Sequence, residues 1–158
     1  MQTYTIAFFG HRQIEDIDIM EKSLTALIEA RISEKEYVEF LVGRNGDFDR
    51  SVSSVIRTMQ KRKGSENTAH VLVLPYMTAE YFRNQEAFEA YYDEIEIMDA
   101  SAHFKNAITK RNRAMIDRAD EIIFYLERDA GGAYDAYRYA SEKGKNVKNI
   151  AIKMNKTY

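Results

Sequence analysis

Residues Lys110 to Ala140 read KRNRAMIDRADEIIFYLERDAGGAYDAYRYA, and this stretch decides the fold class. A helical pattern leads into the apolar strand Glu121 to Tyr125, and a Gly-Gly pair then opens a second helix. Strand, glycine turn and helix in this order are typical of α/β proteins, where backbone N–H groups at the helix start face an anion. The arginines before the strand can add charge to the same site. The stretch therefore predicts an α/β fold and a phosphate-bearing ligand such as a nucleotide.

The rest of the chain continues this alternation of strands and helices. Strands are predicted at Tyr4 to Phe9, Glu39 to Val42, His70 to Leu74, Glu94 to Met98, Glu121 to Tyr125 and Val147 to Ile152. Two helices are predicted from the apolar stripes Ile17, Met20, Leu24, Leu27, Ile28 and Phe48, Val52, Val55, Ile56, Met59. Further helices are predicted at Ala79 to Tyr92, Ala102 to Asp117 and Ala133 to Lys143. A continuing helix is the alternative for Glu94 to Met98.

This order of elements predicts the topology and the place of the site. Strands that alternate with helices imply a mostly parallel sheet with helices around it. We expect one doubly wound, Rossmann-like domain over residues 1–158. Ligands bind such sheets beyond the carboxyl ends of the strands. Asp18 is predicted to cap the first helix and Asp47 the second, and Lys61 to Asn67 to form a loop.

Composition narrows the class of protein. The chain has 158 residues, 45% of them hydrophobic and 30% charged, with a formal net charge of -2. A general nucleic-acid surface is not expected, because it needs a basic excess. The absence of cysteine excludes disulfides and thiolate sites, and no metal motif is present. Neither a signal peptide nor a membrane-length apolar run is seen, so we expect a cytoplasmic protein without membrane contact.

Arg111 is the first candidate binding residue. At 100° per residue it shares a helical sector with the apolar residues Phe104, Ile108 and Met115, and Asn112 lies just beside it. A guanidinium on an apolar face needs a partner, because burying it alone is very costly. That partner is either a structural carboxylate or a ligand phosphate or ribose. Arg113 points the opposite way, into solvent.

Three glycine-bearing loops follow strands, so all of them can reach the carboxyl edge of the sheet. Their candidate ligand-binding residues are Gly10, His11, Arg12, Gly43, Gly46, Asp47, Gly131, Gly132 and Asp135. A glycine lets the backbone approach a ligand, and Asp135 can cap its helix or accept hydrogen bonds from a ribose. Solvated loop side chains are the alternative for His11 and Arg12. Aromatic residues that can stack a base, or form core or dimer interface instead, are Tyr76, Tyr81, Phe82, Tyr91 and Tyr92.

Four motifs together resemble the SLOG superfamily, and within it the YpsA/YoqJ-like branch. They are FFGHR after the first strand, GDFD at the second helix, and RNRAMID and GGAYDAYRYA around the late strand. The resemblance runs from about Thr5 to Ile152. It implies a Rossmann-like fold that binds nucleotides or nucleotide-derived ligands.

A more distant similarity, to the lonely-guy (LOG) phosphoribohydrolases, bears on catalysis. These enzymes carry an Arg-Lys pair on the corresponding helix, followed by P-G-G-x-G-T-x-x-E. Arg111 matches the arginine, but Asn112 replaces the lysine and Arg138 stands at the place of the catalytic glutamate. Cleavage of a glycosidic bond calls for a carboxyl group near the ribose. The resemblance thus implies binding better than hydrolysis, unless Asp135 or Asp47 supplies the carboxylate.

The sequence therefore predicts a nucleotide-sensing or nucleotide-binding module with no further cofactor and no metal, which forms a homo-oligomer. One alternative is an N-glycosidase or base-exchange enzyme that acts on nucleotides. The other is an interaction protein with a vestigial site, in which the aromatic and acidic segment Ala79 to Tyr92 makes the contact.

Overall fold

The fold is built on a six-stranded sheet whose pairings are all parallel. The computed structural model describes residues 2–98 and 104–151. Within them the strands are β1 (Thr3–Gly10), β2 (Tyr37–Val42), β3 (Thr68–Leu74), β4 (Glu94–Ile97), β5 (Glu121–Tyr125) and β6 (Val147–Asn149). Their order across the sheet is β4-β3-β2-β1-β5-β6. β1 is therefore central, with Ile6 opposite Phe40 of β2 and Phe9 opposite Phe124 of β5.

Helices cover both faces of this sheet. They are α1 (Ile17–Glu34), α2 (Asp47–Lys63), α3 (Ala79–Arg83), α4 (Gln85–Tyr91), α5 (Phe104–Arg118) and α6 (Gly132–Glu142). Successive residues of a strand point to opposite faces, so Phe8 packs in the core beneath α1, α2 and α4, and Phe9 in the core beneath α5 and α6. Every residue of β3 and β5 is buried, as expected for parallel strands covered on both faces.

This architecture confirms the predicted doubly wound, Rossmann-like α/β fold. Glu94–Ile97 is a strand, so the alternative of a continuing helix is wrong. Ala79 to Tyr92 forms two helices that meet at Asn84, and the Thr78 hydroxyl accepts a hydrogen bond from the Tyr81 N–H at 3.1 Å to cap the first. None of the helices that are described is long and apolar enough to cross a membrane.

Both predicted helix caps are wrong. Asp18 lies inside the first turn of α1, whose N-cap position is Asp16, and Ile17 is 37% exposed rather than core. Asp47 is the first residue of α2, after Gly46. Its carboxylate accepts a hydrogen bond from the Ile14 N–H at 3.0 Å instead of capping the helix. Asp47 thereby fixes the loop between β1 and α1.

Two further predicted boundaries shift. Lys61 to Lys63 are helical, because α2 ends at Lys63 and Gly64 is its C-cap residue. β6 ends at Asn149, whose side-chain oxygen accepts from the backbone N–H groups of Leu126 and Ala151 at 3.0 and 3.1 Å. The predicted start of a helix at Ala102 and the predicted end of the last strand at Ile152 lie outside the described residues.

Gly10 has to be a glycine because the Phe48 side chain lies against it. A Cβ at this position would overlap the Phe48 ring, which is fully buried between the sheet and α2. We expect Gly10→Ala to lower the free energy of unfolding by about 1–3 kcal/mol, the usual cost of overpacking a core. Urea denaturation measures this. Gly132→Ala is the control, since a Cβ there meets no atom within 4 Å, and an equal loss in both variants would contradict the packing argument.

The burial of His70 predicts that the stability of the fold depends on pH. It is completely buried, its Nε2 lies 2.8 Å from Ser53 Oγ, and burial lowers its pKa to about 4. The unfolded chain has the ordinary value of about 6.5, so it binds the proton first as the pH falls. We expect the free energy of unfolding to drop by roughly 3 kcal/mol between pH 6.5 and 4. Urea denaturation across this range should show a flatter profile for His70→Gln; parallel profiles would assign the loss to other groups.

Candidate functional site

A cleft of about 420 Å³ opens at the carboxyl ends of β1 and β5. The chain leaves β1 toward β2 and leaves β5 toward β6, which lie on opposite sides, so the two loops diverge there. The cleft brings together eight of the residues predicted for the site: Gly10, His11, Arg12, Gly43, Arg111, Asn112, Gly131 and Gly132.

The structure places the other three predicted residues elsewhere. Gly46 does not line the cleft but packs against the backbone of Arg12, which does. A Cβ at Gly46 would overlap the Arg12 backbone, and the N–H of the next residue, Asp47, donates to Arg12 O at 2.8 Å. The Asp47 carboxylate is held by Ile14 N–H and by the Arg50 guanidinium at 2.7 Å, which lower its pKa. Asp135 is exposed on α6 and neither lines the cleft nor caps the helix.

Arg111 lies on the apolar side of α5 as the helical phase predicts. Only 3% of its surface is exposed, and that burial lowers its pKa. Its Nε donates to Asn112 Oδ1 at 2.8 Å and its Nη1 to the Val73 carbonyl at 3.0 Å. Within the described residues no carboxylate oxygen lies within 4.0 Å of it, so a structural ion pair is not its partner there. Asn112 holds the guanidinium in place.

Asp49 is a cleft residue that the sequence analysis missed. It follows GDF in the motif GDFD, and its Oδ2 accepts a hydrogen bond from the Asn45 N–H at 2.8 Å. A Cβ at Gly43 would lie 3.0 Å from Asp49 Oδ2 and 3.4 Å from Arg111 Nη1. Burial raises the pKa of Asp49, against the opposing effect of the Asn45 N–H and the nearby arginines. Carboxylate and guanidinium therefore flank one point beside Gly43.

His11 joins the two diverging loops. It is 5% exposed, and its Nε2 accepts a hydrogen bond from the Glu127 N–H at 3.0 Å. Nε2 can accept only in the neutral ring, and burial lowers the pKa of His11 in the same direction. The alternative of a solvated side chain is thus wrong for His11, whereas Arg12 is exposed.

The cleft is positively charged although the chain is acidic. Among the described residues, its charged lining consists of Arg12, Arg111 and Arg128 against Asp49, a net charge of +2, where the whole chain carries -2. The sequence analysis also missed Arg128, whose signal is a basic residue between a strand and the Gly-Gly turn. α6 begins at this wall, and its first N–H groups have no partner within a helix. Gly131 adopts φ 93°, which glycine accommodates best.

Apolar side chains also line the cleft, and they include Phe9 together with Ile108 and Met115 from the same face of α5 as Arg111. None of the aromatic residues predicted to stack a base belongs to the described lining of the cleft. Tyr81 and Tyr92 are core residues under α1 and α2, as the alternative predicted, and Phe82 is 67% exposed. Across the described ranges 2–98 and 104–151 no group of three His, Asp or Glu side chains could hold a metal ion.

Comparison with known proteins gives a match among solved structures. No protein-family model matches the chain, and no curated protein matches it. Among solved structures it is similar to the X-ray structure of DNA processing protein A (DprA) from Streptococcus pneumoniae, with a TM-score of 0.64 over 92% of this chain. The chain spans 49% of that protein's length, and the sequence identity is 15%. The similarity therefore concerns the fold alone.

Proposed function

We propose that this protein binds a nucleotide or a nucleotide-derived small molecule in the cleft and acts as a ligand-sensing module. The observation that carries the proposal is the buried Arg111 guanidinium, which reaches a cleft wall with no carboxylate partner in the described part of the chain. A buried cation is stable only with good hydrogen-bond partners. A phosphate or ribose supplies such acceptors.

The remaining walls match the other parts of a nucleotide. Arg12, Arg128 and the start of α6 offer charge and N–H groups to a phosphate. Ile108, which is half-buried beside the buried Phe9 and Met115, offers apolar surface to a base. A volume of about 420 Å³ lies in the usual range of small-molecule sites.

Two similarities agree with this proposal. The motifs FFGHR, GDFD, RNRAMID and GGAYDAYRYA resemble those of the YpsA/YoqJ-like branch of the SLOG superfamily, which implies nucleotide-like ligands. DprA is named for DNA processing, and DNA is itself built of nucleotides. A homo-oligomer and a cytoplasmic location stay predictions from the sequence.

Replacing Arg111 tests the site. We expect Arg111→Ala to weaken binding of the best ligand among AMP, GMP, CMP and UMP about 10- to 100-fold, because a charge-assisted hydrogen bond is lost. Isothermal titration calorimetry measures this. Arg113→Ala is the control on the same helix, since Arg113 is exposed and stacks over Tyr139 at 4.8 Å.

Arg128→Ala keeps this test valid if Arg111→Ala does not fold. Arg128 is exposed in the cleft wall, so its loss should weaken the same ligand by about 3- to 30-fold without lowering the melting temperature. Native mass spectrometry of freshly purified protein should also show a retained nucleotide. Unchanged affinity in both variants would exclude this cleft as the site.

An N-glycosidase is the second candidate function, and one observation favours it: the Asp49 carboxyl group lines the cleft and its pKa is raised. The carboxylates proposed from the sequence, Asp47 and Asp135, lie outside the cleft wall. Because the proposed function is binding without cleavage, we expect no free base when the protein is incubated with the four nucleoside monophosphates and the products are separated by chromatography. Base release that disappears in Asp49→Asn would make the protein an enzyme.

A further inference from the structure

Asp49 is the one carboxylate among the described residues that line the positively charged cleft. Oδ2 is held by the Asn45 N–H at 2.8 Å, which fixes the side chain at the first turn of α2. No hydrogen bond to Oδ1 occurs within residues 2–98 and 104–151. An anionic phosphate is repelled by this group, so Asp49 needs a neutral hydrogen-bond donor from a ligand.

The Arg111 guanidinium stands beside this carboxylate without pairing to it. Both groups border the point at which a Cβ of Gly43 would lie, at 3.0 Å for Asp49 Oδ2 and 3.4 Å for Arg111 Nη1. No N–O distance of 4.0 Å or less joins the two side chains. An acceptor group and a donor group therefore lie on either side of Gly43 in the lining of the cleft. Oδ2 is bonded to the Asn45 N–H and Nη1 to the Val73 carbonyl, so Asp49 Oδ1 and Arg111 Nη2, which have no bond among the described residues, are the atoms left for a ligand.

A hydroxyl group matches this arrangement better than the other parts of a nucleotide do. A hydroxyl both donates and accepts, so it can donate to Asp49 and accept from Arg111. A phosphate only accepts and leaves Asp49 unmatched, while an exocyclic amino group of a base only donates and leaves Arg111 unmatched. The ribose of a nucleotide carries two adjacent hydroxyls, which is the number that the pair can bind.

We infer that Asp49 and Arg111 bind the 2′ and 3′ hydroxyls of a ribose, so that the cleft selects ribonucleotides over 2′-deoxyribonucleotides. This inference rests on the proposed function of the cleft. A 2′-deoxyribonucleotide lacks the 2′ hydroxyl that would donate to the Asp49 carboxylate. A partly buried acceptor without its donor is costly, and such a cost gives strong discrimination against the deoxy form.

Calorimetric titration with AMP, GMP, CMP and UMP, each paired with its 2′-deoxy counterpart, tests the inference. We expect the ribonucleotide to bind wild-type protein about 10-fold or more tightly than the deoxy form. In Asp49→Ala this ratio should fall to about 1. The ratio is the readout, because removing a negative charge strengthens the binding of both anions alike.

Two further variants separate a specific role of Asp49 from the general effect of removing a negative charge. Asp135→Asn removes a negative charge outside the cleft and should keep the wild-type ratio. Asp49→Asn retains an acceptor for the Asn45 N–H, so it preserves the local fold. It weakens the bond to the hydroxyl because the side chain is no longer charged, and its preference for the ribonucleotide should lie between those of the wild type and Asp49→Ala. Equal binding of both forms by the wild type, or a preference that survives in Asp49→Ala, overturns the inference but not the proposed function. If no nucleotide binds, the proposed function fails as well.

Discussion

The reversal of the strand order between β1 and β5 is the constraint on which the site depends. β1 pairs with β2 and β5, and the connections from β1 and β5 run to opposite edges of the sheet. Their loops must therefore separate at the carboxyl end, and the topology of the sheet alone creates a cleft there. The bond from the Glu127 N–H to His11 sets how far the loops separate.

Burial of Arg111 imposes the second constraint. Its guanidinium loses hydration, and it is supported by one amide oxygen and one backbone carbonyl, from Asn112 and Val73. Those neutral acceptors satisfy part of its donors, and the Asp49 carboxylate lies nearby without a direct ion pair to it in the described chain. Gly43 leaves space for a ligand beside it, as does the open turn at Gly131. The protein itself therefore holds the charged groups of the site in position, without the help of a ligand.

Sequence reasoning predicted the fold well, because the periodicity of apolar residues reports directly on parallel strands and amphipathic helices. It also predicted the orientation of Arg111, since helical phase needs no tertiary information. It failed where a side chain serves a distant part of the chain: Asp47 bonds to the loop after β1, and His11 bonds to the loop after β5. Asp49 was missed because its nearness to Arg111 depends on the tertiary fold, which brings residues from α2 and α5, on opposite faces of the sheet, to the same point beside Gly43.

The bond between His11 and Glu127 has a consequence for folding, since it joins residues 116 positions apart. The two walls it connects belong to the first and the fifth strand, so the cleft exists only after the non-local pairing of β1 with β5 has formed. A partly folded chain offers no binding site. Any ligand of this cleft therefore binds the native state alone, and its concentration adds to the thermodynamic stability of the whole chain by mass action.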